Sequence, residues 1–263
     1  MTDSTEVAYP GILQQRTPVS LTGKVAIVTG AAAGIGEAIA ELLAAHGVRV
    51  YLLDRDAARN EQTARTLPGL AKALACDVRD RTAVQSAVAQ VTEEAGKIDI
   101  LINNAGVYPR RPFLQMDERE WDAVQDINLK GMFHTCQCVL PHMVARGSGS
   151  VINISSVTFH VGMANLTHYV ASKGGVIGFT RSLAREMGGN GIRVNCLTPG
   201  AVLVESERQV ATDEQIRAVL DLQSIKRRIL PVDVARVCLF LASELSAAMT
   251  GQTLNVDGGW VMY

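Results

Sequence analysis

The stretch Lys24-Val-Ala-Ile-Val-Thr-Gly30-Ala-Ala-Ala-Gly34-Ile-Gly36 decides the fold. Its first half, residues 25–29, is an apolar, β-branched run of strand length, as a strand buried on both faces requires. Its second half is a turn of small residues. The segment that follows, to His46, sets apolar Ile39, Ala40, Leu42 and Leu43 at helical spacing. Strand, glycine turn and helix in that order bring backbone N–H groups and the positive end of a helix to one point, where a pyrophosphate can be held. Gly30, Gly34, Ile35 and Gly36 would form that cradle, in a Gly30-x-x-x-Gly34-x-Gly36 variant of the dinucleotide fingerprint. A tight turn that binds nothing has the same glycines, so the stretch needs support from the rest of the chain.

Working outward, strand-like and helix-like segments alternate. Strands are expected at 25–29, 48–53, 71–76, 100–102, 150–154, 193–197 and 253–256. Helices are expected near 35–46, 57–66, 80–95, 118–145, 168–187, 213–221 and 232–243. Such alternation predicts an α/β fold, a parallel sheet with helices on both faces. The 263 residues suit one such domain, which can bury its core without disulfide staples. Residues 1–20, with neither a basic start nor an apolar core, read as an N-terminal extension and not a secretory signal. The domain is expected to fill residues 21–263.

Bulk composition excludes some classes. With 25 basic and 26 acidic residues the net charge is −1, which gives no electrostatic case for nucleic acid or an anionic membrane. No apolar run approaches the roughly 20 residues of a membrane span. The five scattered cysteines, Cys76, Cys136, Cys138, Cys196 and Cys238, read as free thiols of a cytoplasmic protein. Cys136-Gln-Cys138 has no second cluster to complete a metal site, so no metal is expected.

The chemistry-bearing signal is Tyr169-Val-Ala-Ser-Lys173. On a helix, residues four apart lie on one face. An ammonium beside a phenol favours the phenolate, so the pair could turn a group of pKa about 10 into a proton acceptor. Alone, Tyr-x-x-x-Lys occurs on many solvated helices. In this chain it follows, in order, Thr29 to Gly36, Asn103-Asn104-Ala105-Gly106, Asn128 and Ser156, and precedes Pro199-Gly200. That series resembles the short-chain dehydrogenase/reductase family, over residues 21–261.

The resemblance implies a doubly wound parallel sheet of seven strands, the Rossmann fold, with the ligand crevice at the carboxyl ends of the strands. It implies that Tyr169 is the general base in oxidation and the general acid in reduction. Lys173 would lower the phenol pKa and bind the nicotinamide ribose, Ser156 would donate to the substrate oxygen, and Asn128 would hold a water leading to solvent. Asn104, Ala105, Gly106, Pro199 and Gly200 would line the cofactor. Val204 stands where many relatives carry a threonine for the carboxamide, and Ser206 is a candidate substitute.

Asp54 closes the second strand, eighteen residues beyond Gly36. A carboxylate there accepts from the ribose hydroxyls and repels a 2′-phosphate, which favours NAD over NADP, although Arg55 beside it could bind that phosphate. Asp77 and Val78 resemble the family's adenine contact; Asp77 could equally cap the helix that follows. Residues 201–228, rich in charge, would close a lid over the substrate, with further walls from Tyr108 to Arg111 and from Thr158 to His168. A polar small molecule is expected there: a sugar, polyol or sugar-derived acid. The alternatives are a 3-oxoacyl thioester reductase and a catalytically silent nucleotide-sensing protein. Family members form homotetramers, and Gly174, Gly175 and Gly178, the stripe Met132, Phe133 and Val139, and the apolar tail 257–263 are the candidate contacts.

Overall fold

Alternate residues of one strand face opposite ways, and in this chain both sets are apolar. Val25 and Ile27 pack with Val84, Val88, Met132, Val139 and Val176 on one side. Ala26 and Val28 pack with Ile39, Leu43, Val234 and Leu241 on the other. Full burial of each large side chain contributes about 1.5–3 kcal/mol, so the strand is held from both faces. The computed structural model describes residues 21–205 and 212–262; the N-terminal extension lies outside them.

The strands are β1 (Val25–Thr29), β2 (Arg49–Asp54), β3 (Ala71–Ala75), β4 (Ile100–Asn103), β5 (Gly149–Ile154), β6 (Ile192–Pro199) and β7 (Thr253–Val256). They form one parallel seven-stranded sheet in the order β3-β2-β1-β4-β5-β6-β7. The helices are α1 (Gly34–Ala45), α2 (Ala57–Thr66), α3 (Arg81–Ala95), α4 (Glu118–Gln125), α5 (Gly131–Arg146), the short α6 (Thr158–Val161), α7 (Thr167–Met187), α8 (Asp213–Leu222) and α9 (Pro231–Ala242). Helices α3, α5 and α7 cover one face of the sheet, and α1 and α9 the other. The fold is the doubly wound Rossmann type, and the chain reverses direction across the sheet between β1 and β4, where a crevice opens. No helix among the described residues is long and apolar enough to cross a membrane.

One expected helix is interrupted. Residues 118–145 read as continuous, but Asp126–Lys130 forms a π turn, closed by Gly131 N–H donating to the carbonyl of Asp126. Gly131 is seated against Val78, where an added Cβ would lie 2.6 Å from Val78 Cγ2. The wide turn sets Asn128 inward, and π turns of this kind concentrate at functional sites.

Far from the crevice, before β4, Asp99 is buried and joins the strand starts. It accepts from Val25 N–H at 2.8 Å and from Arg146 at 2.8 Å, with Lys97 at 3.4 Å and Lys24 at 3.8 Å. Burial pushes its pKa up, but the Arg146 and Val25 hydrogen bonds and the lysines outweigh this and hold it below the ordinary 3.8. Asp99→Ala is therefore expected to cost about 3 kcal/mol, because it leaves Arg146 unpaired and a buried N–H unsatisfied. The sign follows from the lowered pKa: Asp99 stabilises fully above 3.8, and that contribution disappears as pH falls through the folded value. Urea unfolding at pH 7 and at acid pH checks both; equal loss at the two pH values would refute the account.

Candidate active site

A cleft of about 800 Å³ runs along the carboxyl ends of the strands. One end is the glycine turn. At Gly30 the chain turns with φ 63°, and an added Cβ would lie 2.8 Å from Ala105 Cα, so only glycine lets these two loops meet. Gly36 does not line the cleft; an added Cβ there would strike the Gly30 carbonyl at 2.1 Å, so this glycine packs α1 onto β1. Gly30, Gly34 and Ile35 do line it. Helices α2, α3 and α4 are capped by Asp56, Asp80 and Asp117, whereas α1 begins at Ala33 with no side-chain cap. Its first N–H groups are left for something else, in a place where helix charge favours an anion.

Asn104 ties this turn down. Its amide donates to the carbonyls of Thr29 at 3.1 Å and Gly30 at 2.9 Å, and Thr29 Oγ1 accepts from the N–H groups of Asn104 and Ala105. Thr29, which the sequence reading took only as the start of the glycine motif, thus joins the two loops through its hydroxyl. Asp54 lines the same end of the cleft and accepts from Ala32 N–H at 3.1 Å and Asp56 N–H at 3.0 Å. Each oxygen keeps a lone pair for a further donor. Arg55 is exposed and absent from the lining, whereas Arg59, one turn into α2, is present and pairs with Glu205 at 2.7 Å.

Asp77 departs from the alternative of a helix cap. Its carboxylate grips Arg79, 2.6 Å away and on the same loop, and α3 is capped by Asp80. The Arg79 hydrogen bond holds the Asp77 pKa below the ordinary carboxylate value. Neither Asp77 nor Val78 lines the main cleft; Val78 is buried against Gly131, and its carbonyl lies 3.0 Å from His134 Nδ1.

At the middle of the cleft the structure brings Ser156, Tyr169 and Lys173 together with Gly106, Pro199 and Gly200. Ser156 leaves the end of β5, and its oxygen accepts from Thr158 N–H at 3.2 Å and Thr158 Oγ1 at 3.0 Å. Its own proton is thereby freed for the cleft, where it faces the Tyr169 hydroxyl. Ser155 donates instead to the Lys173 carbonyl at 2.7 Å and only anchors α7. Lys173 is buried; its Nζ donates to the Ile154 carbonyl at 2.8 Å and lies 5.6 Å from the centre of the Tyr169 ring. Asn128 accepts from Val107 N–H at 2.8 Å and donates to the Val107 carbonyl and Ser172 Oγ, both at 3.0 Å. It joins the loop after β4 to α7. Asn128 Oδ1 and Lys173 Nζ both converge on Gly106, where an added Cβ would lie 3.3 and 3.4 Å from them.

In the protein alone, burial sets the two reacting groups apart. Burial pushes the Tyr169 phenol up to about 12, with the Ser156 hydrogen bond working against it. Burial pulls Lys173 down to about 8. In the protein alone, the lysine does not lower the phenol into the neutral range, because removing both groups from water disfavours the charged form of each. A neutral phenol is the ground state, ready to donate.

The walls also differ in part from expectation. Tyr108 and Arg110 line the cleft, but Arg111 is held by Glu120 at 2.5 Å. His168 is fully buried, its Nδ1 accepting from Tyr169 N–H at 2.9 Å, and it does not reach the cleft. Residues 206–211, including Ser206, lie outside the described residues. The flanking lid segments, read as polar, turn Val202, Val204, Ile216 and Val219 to the cleft together with Glu205 and Arg228, while Arg217, Lys226 and Arg227 are exposed away from it. The apolar tail places Trp260 in the lining, a position its composition did not indicate.

Comparison with known proteins agrees with this geometry. A family model described as Enoyl-(Acyl carrier protein) reductase matches residues 30–261. A 3-oxoacyl-[acyl-carrier-protein] reductase of Chlamydia pneumoniae is 40% identical over 246 residues, covering 92% of this chain and 98% of the relative. A D-threitol dehydrogenase of Mycolicibacterium smegmatis is 39% identical, covering 92% of this chain and 94% of the relative. A solved 7α-hydroxysteroid dehydrogenase, complexed with NADH and 7-oxo glycochenodeoxycholic acid, superposes with a TM-score of 0.89 at 34% identity, covering 93% of this chain and 97% of that one. The chain belongs to the short-chain dehydrogenase/reductase family of oxidoreductases, enzymes that act on alcohol and ketone groups.

Proposed function

We propose that this protein transfers a hydride between NAD(H) and a secondary alcohol or ketone of a small polar molecule: a sugar, polyol or sugar-derived acid. The observation that carries the reading is the convergence of Ser156, Tyr169 and Lys173 on one cleft that begins at an uncapped helix end and Asp54. The residues fit a dinucleotide. The first N–H groups of α1 suit its pyrophosphate, Gly30 leaves room for the turn to approach, and Asp54 suits two ribose hydroxyls while repelling a 2′-phosphate. Ala105, Gly106, Pro199, Gly200 and Lys173 suit the nicotinamide half. When bound, the nicotinamide supplies the hydride acceptor or donor.

The protein's own groups manage the proton. Tyr169 holds it on its hydroxyl, delivering it to the substrate oxygen in reduction and receiving it in oxidation. Ser156 donates to the same oxygen as charge develops there. Lys173, tethered by the Ile154 carbonyl, keeps its remaining N–H groups toward the cleft and supports the phenolate once it forms. Asn128 positions that lysine's surroundings by fixing the loop of Val107 against α7. Residues 201–228 act as the lid.

A second reading, reduction of a 3-oxoacyl thioester, is favoured by the likeness to the Chlamydia pneumoniae protein and by the apolar inner face of α8. One experiment separates them: initial rates with NAD and NADP on a panel of polyols, sugars and sugar acids, beside NADH- and NADPH-dependent reduction of a 3-oxoacyl thioester. NAD-dependent oxidation of a panel member is the expected result. Thioester reduction with NADPH alone would replace the proposal.

The five unpaired thiols, four of them buried, support a cytoplasmic setting. We also propose a homotetramer. On α5, Met132 and Val139 face the core, leaving Phe133 exposed; on α7, Gly174 and Gly175 admit Phe159 and Leu129 of the same chain, leaving open space at Gly178.

A further inference from the structure

We propose that Trp260 is a specificity-determining residue, whose indole is the wall against which the substrate's carbon skeleton packs. The inference rests on the oxidoreductase reading above and narrows the substrate to a compact polyhydroxylated molecule that presents a C–H face. Strand order places it. Asp54 ends β2, on one side of β1, whereas Trp260 follows β7, the opposite edge of the sheet. Tyr169, Ser156 and Gly200 lie between the two along the same cleft. A dinucleotide that begins at Asp54 and ends at Gly200 leaves the Trp260 end for the molecule it reacts with.

The tail that carries Trp260 is a built mount. Asp257 is buried and accepts from Gly259 N–H at 3.0 Å and Val261 N–H at 2.9 Å. Gly258 and Gly259 turn through φ 70° and 76°, which fits their lack of a side chain. Ile225 N–H donates to the Gly258 carbonyl at 2.9 Å, and Ser224 Oγ to the Gly259 carbonyl at 3.2 Å. The chain just after α8 is therefore clamped to the tail, and Val219 of α8 and Trp260 of the tail both line the cleft. A half-buried aromatic on a backbone held in this way offers a large contact area with little ordering cost on binding. Its ring face is electron-rich, which suits the weakly positive C–H groups of a hydroxylated carbon skeleton. Hydroxyls on the other side meet polar walls: Arg110, which makes no ion pair among the described residues, and Asn165 on the loop before α7. A long acyl chain would leave these groups without partners.

The test uses Trp260→Ala and Trp260→Phe, with D-threitol, D-galactose and D-gluconate as substrates. Trp260→Ala is expected to raise KM for the substrate that the native protein oxidises by roughly tenfold, with kcat within about threefold and KM for NAD unchanged. Trp260→Phe is expected to recover most of the loss, and if the alanine variant fails to fold, the emission titration that follows decides the matter. The chain has two tryptophans, so Trp121→Phe leaves Trp260 as the only reporter, and its emission is expected to change saturably as that substrate is added. Unchanged KM in both Trp260 variants, or silent emission, would overturn the proposal while leaving the reaction intact. Turnover of none of the three by the native protein would overturn the substrate class and this proposal together. Full turnover in a Tyr169→Phe protein would instead strike the reaction reading, with the KM comparison still legible.

Discussion

Tyr169→Phe is expected to lower turnover in both directions by roughly a thousandfold or more, while NADH still binds. A positioned acid–base group is worth about 10² to 10⁴ in rate, and no second group stands ready to replace it. Ser156 hydrogen-bonds the phenol, but its oxygen already accepts from Thr158, and a serine hydroxyl is itself an alcohol, which ionises far above neutral pH. Phenylalanine keeps the ring and its tilted contact with Tyr108, whose centroid lies 6.0 Å away, so the cleft should hold its shape. Steady-state rates beside a fluorescence titration with NADH separate chemistry from binding. Loss of both in parallel would mean that the residue is structural.

The pH dependence has a definite sign. With the phenol up at about 12 and the lysine down at about 8, the protein alone holds its proton donor across the neutral range. Oxidation, which needs the acceptor form, should gain in kcat/KM as pH rises from 6 to 9, whereas reduction should not gain. A flat oxidation profile would show that the phenol is already ionised.

The second large effect concerns the cofactor. Asp54→Asn should cut the preference for NAD over NADP by roughly a hundredfold, since hydrogen bonds to a charged group are worth about 1.5–3 kcal/mol each and the repulsion of a 2′-phosphate disappears. Asparagine keeps an oxygen for Ala32 N–H or Asp56 N–H, so the turn should persist. Asp54→Ala removes both acceptors, and weaker binding of either nucleotide is expected. The ratio of kcat/KM values for the two cofactors is the measurement. An unchanged ratio in Asp54→Asn would move the selectivity elsewhere, with Arg59 the residue to examine next.

The strand–turn–helix unit was legible in the sequence because its causes are local. A run apolar at every position needs cover on both sides, and glycine is the residue that permits φ 63° at residue 30. The other strands were legible within one or two residues at most ends, although β3 carries Lys72 and β7 carries Asn255, so alternation with helices and not an unbroken apolar run marked them. The π turn at Asp126–Lys130 was not, because residues 118–145 have helical character throughout and only Val78, fifty residues away, presses Gly131 into place. His168 reads as a polar wall residue beside Tyr169, yet the packing of α7 turns it into the interior.

Sequence by itself thus determined the sheet, the cradle and the order of the reacting groups, since each depends on neighbours along the chain and on side-chain chemistry. Tertiary structure alone decided which residues meet in the cleft: that Trp260 closes it, that Arg59 pairs with Glu205, and that burial sets Tyr169 and Lys173 apart in proton affinity. Contacts between distant segments and exclusion of water are properties of the packed chain, and no local pattern encodes them.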